Sequence, residues 1–294
     1  MRVVFLASRE PDYLAAVTWR GLNEVLGIGN VLDAHAVNGC CCYYLHEYML
    51  RPSNESGNPA CEAIGQLPGT WINNRWASDL DRPIGAALVV LHYSSWKDTQ
   101  SWVTAEAVLR CMKPGYKLAY VCGDDHTGPY PDPPVPATVR FQREIEPGQT
   151  SAVKLCFAAP QNWACTSRER PIDAIFAGAV NNECRRTVVA KMCLLAKDGF
   201  NVCLAGGERL LSWDVYMQLL KKSKVAICPP GAGADTMRLY EAMASGAEPL
   251  EVCPTSGELL ARLESVDPAR VVNNFMRRHT TCVRAAELLR ACGF

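Results

Sequence analysis

Hydrophobic and polar residues alternate along the first forty positions in blocks that predict a strand, a helix and a second strand. Residues 3–7 form a short apolar run that is typical of a buried strand. Residues 13–26 carry apolar side chains at helical spacing, and Gly27 closes this segment. Residues 30–36 are apolar again. The pattern predicts a βαβ unit at the start of the chain.

The rest of the first half contains two loop-like stretches around a second strand–helix–strand series. Residues 51–82 are rich in Pro, Gly, Asn and Ser without a clear period, which indicates a long surface excursion. Residues 86–92 form a continuous apolar run of the kind found in parallel sheets, followed by a predicted helix at 98–112 and a strand at 117–122. Residues 128–136 hold so many prolines that we expect a loop at the edge of the domain.

A second series of alternating elements begins after Arg170. We predict strands at 172–177, 201–205, 224–228 and 248–252, and helices at 183–197, 213–222, 236–244, about 256–264 and 280–291. Unbroken alternation favours an α/β fold with two Rossmann-like, doubly wound domains. We place the boundary between residues 155 and 171, which gives domains of 1–160 and 161–294.

Charge and cysteine usage narrow the possible functions. Thirty Lys and Arg residues balance thirty Asp and Glu residues, so the chain has no net charge that would attract it to a polyanion. A nucleic-acid contact would need a local basic patch, for which the candidates are Arg140, Arg143, Lys154, Arg168 and Arg170. Fifteen cysteines, an odd number without any C-x-x-C pair, argue against a disulfide framework or a zinc site. Those at 122, 156, 193, 203 and 228 lie in apolar runs and are expected to be buried thiols. Because residues 1–8 lack a signal-peptide core and no run reaches membrane-span length, we expect a cytoplasmic protein without a membrane span.

The most informative segment is the strand–turn–helix region at residues 223–249. After the apolar strand come Pro230 and two turn glycines, Gly231 and Gly233, and then Asp235 or Thr236 as the helix cap. The glycines let the backbone approach a ligand, and the first N–H groups of the helix point at it. This arrangement favours phosphate binding at the carboxyl end of the strand.

Arg238 and Glu241 lie three positions apart and therefore share one face of this helix. A guanidinium there suits a phosphate, and a carboxylate suits a pair of ribose hydroxyls. The alternative is a structural ion pair on a solvated helix face.

The motif P-P-G-x-G-x-D-T-x-R-x-x-E-A-x-A-x-G that includes these residues resembles the donor-binding region of GT-B glycosyltransferases, particularly the exostosin-like and glycosyl transferase family 1 domains. Upstream, RPIDAIFAGAVNNECRR at 170–186 is similar to the opening strand and loop of the same domain. The resemblance implies two domains that face each other across a cleft, with the last helix packed back on the N-terminal domain. It also implies diphosphate contacts from Gly178, Asn181, and Arg185 or Arg186, although both arginines also fit exposed helix positions.

The resemblance implies that the protein transfers a sugar from a nucleotide sugar to an acceptor hydroxyl. The expected donor is a UDP-sugar. The nucleotide sugar is a co-substrate, no cofactor is permanently bound, and no metal is required. A glycan, a small molecule or a hydroxymethylated base in phage-type DNA remain open as acceptors. The competing interpretation is a nucleotide-binding Rossmann protein without glycosyl transfer, such as an epimerase-like protein or a sensor.

The reaction type and the catalytic groups stay open at this level. Many retaining GT-B enzymes carry two glutamates eight positions apart, whereas here Gly233 occupies the earlier position, with Asp235 as a substitute. An inverting reaction needs a base, and the candidates follow predicted strands: Asp12, His92, Asp124, Asp125 and His126. The last three also fit an Asx-capped turn or a divalent-metal site, and His92 also fits a core position. Trp71, Trp76, Trp96 and Trp102 are candidate sugar-stacking rings or partly buried side chains under the loops.

Overall fold

The computed structural model describes residues 1–7, 13–27, 30–33, 85–93, 99–123, 130–206, 211–231, 233 and 235–294. Contacts within this part of the chain define two compact units. The first unit comprises Met1–Phe157 together with Thr281–Phe294, and the second comprises Ala158–Thr280.

The first unit is built on a parallel sheet in the order β2-β1-β3-β4-β5-β6. Its strands are β1 Val3–Leu6, β2 Val31–Asp33, β3 Leu88–Tyr93, β4 Lys117–Cys122, β5 Val139–Gln142 and β6 Val153–Lys154. Every residue of β1 and β3 is buried, which explains their continuous apolar sequences, because parallel strands are covered on both faces. The predicted strands of this half are therefore present, and the two strands nearest the β6 edge are additional to the prediction.

The helices of the first unit are α1 Tyr13–Leu26, α2 Thr99–Arg110 and, from the far end of the chain, α8 Thr281–Ala291. We number the helices of the second unit α3 to α7. α1 and α8 pack closely: a Cβ added at Gly21 would overlap the backbone carbonyl of Thr281. The hydroxyl of Thr281 also donates a hydrogen bond to Glu24. Gly21 is thus required for the close approach of these two helices.

The second unit contains a four-stranded parallel sheet in the order β10-β9-β7-β8. Its strands are β7 Ile172–Gly178, β8 Val202–Gly206, β9 Ser223–Ile227 and β10 Glu248–Leu250. Its helices are α3 Glu183–Lys197, α4 Trp213–Lys221, α5 Met237–Ala244, α6 Ser256–Ser265 and α7 Pro268–Arg278. Phe176 of β7 packs with Val188 and Met192 of α3 in the core. Strand and helix alternate here as the sequence predicts.

The C-terminal region departs from the prediction, because three helices stand where we predicted two. The additional helix, α7, starts with a recognisable signal: the Asp267 carboxylate accepts from Ala269 N at 3.0 Å, and Pro268 occupies the first turn. Proline suits that position because its missing N–H is unpaired in any helix start. This helix-start signal is present in the sequence, but α6 and α7 are so closely spaced that the sequence analysis did not separate them.

Several side chains singled out in the sequence are structural. Arg170 is 4% exposed, and its guanidinium donates to the carbonyls of Ser167, Ser223 and Ser245 at 2.8, 2.7 and 2.6 Å. A buried guanidinium of this kind braces the second unit and is closed to a nucleic-acid backbone. The expectation that five thiols are buried is correct for Cys122 and Cys228, whereas Cys156 and Cys203 are half-buried and Cys193 is exposed.

No helix in the described part of the chain combines the length and the apolar character that a membrane span needs.

Candidate functional site

The candidate site lies at the carboxyl edge of the second unit's sheet. β7 and β9 are parallel neighbours, with Ala174 opposite Val225 and Ile175 opposite Ala226. Their carboxyl ends therefore meet at one edge, next to the N-termini of the helices that follow, α3 and α5. Open α/β sheets bind ligands at this edge, and helix N-termini favour anions.

Arg238, in the first turn of α5, reaches back to the end of β7. Its Nε donates to the carbonyl of Ala177 at 2.7 Å. Its guanidinium lies so close to Gly178 that a Cβ there would overlap it. Gly178, with a φ of 153°, therefore provides the space that the arginine occupies.

Arg185, in the first turn of α3, is the second guanidinium at this edge and is only 6% exposed. Its Nη1 donates to Ala179 O at 3.0 Å and to Asn181 Oδ1 at 3.2 Å. A Cβ added at Gly231 would lie 3.3 Å from its Nη2. The glycine turn after β9 thus passes directly beside this side chain.

The neighbouring asparagines hold α3 and Arg185 in place. Asn182 is the N-cap of α3, and its Oδ1 accepts from the backbone N–H of Arg185 at 2.9 Å. Asn181 supplies the side-chain acceptor for Arg185 described above. In this structure both amide oxygens support the arginine.

The two arginines place like charges together. Burial, and then the positive charge of Arg238, lower the pKa of Arg185 from its usual value. Within the described residues, neither guanidinium forms an ion pair with a carboxylate. Two neighbouring cations with no carboxylate in ion-pair contact among the described residues are a costly arrangement that an anion relieves. The electrostatics of this edge therefore favour an anionic group.

Arg186 is placed differently from its sequence neighbour. Its guanidinium is largely exposed and pairs with Glu183 at 2.7 Å, one turn earlier on the same helix. The structure brings Arg185, Arg238, Gly178 and Gly231 together and leaves Arg186 on the outer face of α3.

Glu241 lies one turn after Arg238 and is 2% exposed. Its Oε2 accepts from the hydroxyl of Tyr216, on α4, at 2.6 Å. Burial and the nearby Glu241 carboxylate raise the pKa of Tyr216 well above its usual range, so the phenol remains a donor. Burial raises the pKa of the adjacent Cys228 thiol to about 12, against the opposing charge of Arg238. Sequence reasoning missed Tyr216, which no local motif marks.

The remaining turn residues frame the start of α5. Thr236 is its N-cap without a side-chain capping bond, and Asp235 accepts from the hydroxyl of Tyr240 at 2.7 Å. Gly231 N donates to Gly233 O at 3.1 Å, which folds the turn that follows Pro230. The capping residue is thus Thr236, while Asp235 is held by Tyr240.

The catalytic candidates Asp12, Asp124, Asp125 and His126 lie outside the described residues, as do Trp71, Trp76 and Trp96. His92 is 2% exposed within β3. Searched over the described ranges only, the chain shows no cluster of three or more His, Cys, Asp or Glu side chains suited to a metal ion.

No family model matches the chain. No curated protein matches it either. Among solved structures, it is similar to AviGT4, a glycosyltransferase involved in avilamycin A biosynthesis, at 12% identity and a TM-score of 0.52, over 99% of this chain and 97% of that one. OtsA in its apo form aligns at 10% identity and a TM-score of 0.43, over 99% of this chain and 95% of that one. The first likeness shows the fold, which is the GT-B class with two Rossmann-like α/β domains.

Proposed function

We propose that the protein is a glycosyltransferase whose second unit binds a nucleotide-sugar donor, with the donor diphosphate between Arg185 and Arg238. The observation that carries this proposal is the pair of guanidinium groups at the carboxyl edge of β7 and β9, which are held by backbone carbonyls and lack a carboxylate partner among the described residues. The similarity to AviGT4 agrees with it, since that protein is a glycosyltransferase of the same fold.

Such a site assists the departure of a nucleoside diphosphate. Negative charge grows on the leaving phosphate oxygens in the transition state, and fixed cations stabilise that charge without moving. Arg238 is fixed by Ala177 O, and Arg185 by Ala179 O and Asn181. The N-termini of α3 and α5 add partial positive charge at the same edge.

The turn glycines and Glu241 complete the proposed donor site. Gly231 and Gly233 have no side chains, so the backbone of the turn can approach the ligand. We assign the carboxylate of Glu241 to the ribose hydroxyls, with Tyr216 holding its orientation. UDP is the nucleotide we propose. Asp235 and Thr236, at the start of α5, are proposed to border the transferred sugar.

We assign the acceptor to the first unit, with Asp12, Asp124, Asp125 or His126 as the base if the reaction inverts. Its class remains a glycan, a small molecule or a hydroxymethylated base in DNA. The salt dependence of acceptor binding distinguishes a DNA acceptor from the other two classes. Each phosphate contact with DNA releases counterions, so the affinity for DNA falls steeply with ionic strength.

The test separates binding from transfer. Calorimetric titration with uridine, UMP and UDP is expected to show affinity that rises with each phosphate, and to lose that rise in Arg185→Ala and Arg238→Ala. Equal affinity for uridine and UDP contradicts the assigned diphosphate position. A panel of nucleotide sugars, with UDP release as the readout, then tests catalysis. Tight UDP binding without release from any donor and acceptor supports the non-transferring nucleotide binder instead.

A further inference from the structure

A cavity of about 270 Å³ opens at the amino edge of the second unit's sheet, and every residue that lines it belongs to that unit. Two lining residues mark this edge: Arg170 lies just before β7, and Lys224 is the second residue of β9. The candidate donor site lies at the carboxyl ends of the same strands. A strand rises by about 3.3 Å per residue, so the two ends of β7 lie about 20 Å apart. The cavity is therefore separate from the donor site.

Positive charge predominates in the lining. Three of its side chains are cations, Arg168, Arg170 and Lys224, and one is a carboxylate, Asp267. Asp173, outside the lining, pairs with Lys224 at 2.8 Å. The cations outnumber the carboxylates even when both aspartates are counted. An anion is therefore the class of ligand that the cavity attracts.

Two of the three cations keep N–H groups for a ligand. Arg168 is exposed, and within the described part of the second unit its guanidinium forms no ion pair. Lys224 gives one N–H to Asp173 and, with a side chain that is 37% exposed, keeps two more. A phosphate group has three terminal oxygens that accept strongly, so it can take hydrogen bonds from both residues at once.

Arg170 supplies charge and a fixed wall, because its donors are already used. Its buried guanidinium binds backbone carbonyls, among them those of Ser223 and Ser245 at 2.7 and 2.6 Å. Burial lowers the pKa of this arginine from its usual value. A neighbouring anion favours the charged form of such a group and so gains from its presence without a direct hydrogen bond.

The other side of the cavity is mainly apolar. It comprises Leu263 of α6, Val266, which follows that helix, and Pro268, which begins α7. The carboxylate beside them, that of Asp267, is engaged at the start of α7, where it accepts from Ala269 N at 3.0 Å. A ligand with an anionic group at one end and a short carbon skeleton at the other matches both sides.

We propose that this cavity binds a small phosphate monoester, with Arg168 and Lys224 as donors to the phosphate group. The volume lies slightly below the range of about 300–1,000 Å³ that is usual for drug-sized ligands, which limits the carbon skeleton to a few atoms. The proposal does not rest on the proposed transfer reaction, because the cavity uses none of the donor-site residues.

The test is a calorimetric titration of the full chain with glycerol 3-phosphate, ribose 5-phosphate and inorganic phosphate. We expect saturable binding of at least one monoester, tighter than that of inorganic phosphate. Arg168→Ala should weaken it about 10- to 100-fold, as for a lost hydrogen bond to a charged group. Arg277→Ala removes another exposed arginine, in the last turn of α7, and is the matched control that should leave the affinity unchanged.

The paired arginines of the donor site also attract phosphate, so the same probes are titrated into Arg238→Ala. This variant should keep the monoester affinity that Arg168→Ala loses, whether or not the protein transfers sugars. Near-UV circular dichroism checks that each variant is folded. The proposal is overturned if neither monoester binds more tightly than inorganic phosphate, if Arg168→Ala binds as well as the wild type, or if the affinity is lost in Arg238→Ala instead.

Discussion

The guanidinium of Arg238 fills the space that a side chain at Gly178 would need. The two residues belong to different elements, α5 and the end of β7, and are sixty positions apart in the chain. Their contact ties the start of α5 to the end of β7, one of the two central strands of that sheet. The arginine is thereby fixed before any ligand arrives, which is the condition for electrostatic catalysis.

Arg238→Ala is expected to lower kcat for sugar transfer by roughly 100-fold or more, because one fixed contact to the leaving group is lost. Arg238→Lys should restore little of it, since an ammonium lacks the forked geometry of a guanidinium. Gly178→Ala should give a similar loss, because its Cβ displaces the arginine. Steady-state kinetics of UDP release measure all three. Near-native rates in all three variants would mean that the donor binds at a different place.

Arg185 and Arg186 form a natural comparison, because adjacent residues have opposite environments. Arg185→Ala is expected to weaken UDP binding about 10- to 100-fold, as for a lost hydrogen bond to a charged group. Arg186→Ala removes only an exposed pair with Glu183 and should weaken it far less. Calorimetric titration of both variants with UDP gives the answer. The assignment fails if Arg186→Ala has the larger effect.

Glu241 is expected to act on donor binding more than on rate. Ribose contacts are similar in the ground state and the transition state, so Glu241→Gln should mainly raise KM for the donor. Tyr216→Phe removes the hydroxyl that donates to this carboxylate and should lower the free energy of unfolding by about 1–3 kcal/mol. Donor kinetics and urea unfolding separate the two effects. A large fall in kcat with unchanged KM in Glu241→Gln would contradict the ribose role.

Gly21 offers a test of the α1–α8 contact. Gly21→Ala is expected to lower the free energy of unfolding by about 1–3 kcal/mol, because its Cβ meets the Thr281 carbonyl and the two helices must separate. Gly257, near the start of α6, has nothing within 4 Å of an added Cβ and serves as the control. Gly257→Ala should be neutral or slightly stabilising. Equal effects of the two changes in chemical denaturation would show that the contact contributes nothing.

Stability should fall in alkaline solution because several thiols are harder to ionise in the folded chain. Burial raises the pKa of Cys228 to about 12, and burial raises that of Cys282 and Cys292 to about 11, from a usual 9.0. The unfolded chain therefore releases these protons first, and stability present below pH 9.0 is lost as the pH rises through 11 to 12. Urea unfolding under reducing conditions between pH 8 and 11 measures this. A flat profile would contradict the raised thiol pKa values.

The sequence predicts the regular elements well where packing is two-sided. The apolar runs of β1 and β3 are unambiguous because a buried parallel strand tolerates few polar residues. β5 and β6 were not predicted, since both residues of β6 are exposed and β5 contains the polar residues Arg140 and Gln142. Short strands near a sheet edge leave too little periodicity to detect.

The candidate site was predictable in position and only partly in detail. The glycine turn and Arg238 follow from local spacing, because a strand, a turn and a helix start are adjacent in the chain. The choice of Arg185 over Arg186 depends on which of the two is buried, and the partner of Glu241 lies on a different helix, at Tyr216. Contacts between distant segments arise from tertiary packing, which local patterns do not encode.

The return of α8 to the first unit has a consequence for biosynthesis. Residues 281–294 are synthesised only after the whole second unit, so α1 lacks its packing partner α8 until then. The first unit therefore gains the buried α8 residues Ala285, Leu288 and Leu289 only at that stage. Lys117 Nζ can then donate its hydrogen bond to Cys292 O, at 2.6 Å. Domains generally fold in order from the N-terminus during synthesis, and exposed apolar surface promotes aggregation. Synthesis of the first unit thus begins before that of the second unit but is completed after it. A nascent chain that stalls before Thr281 leaves the α8-binding side of α1 exposed to chaperones.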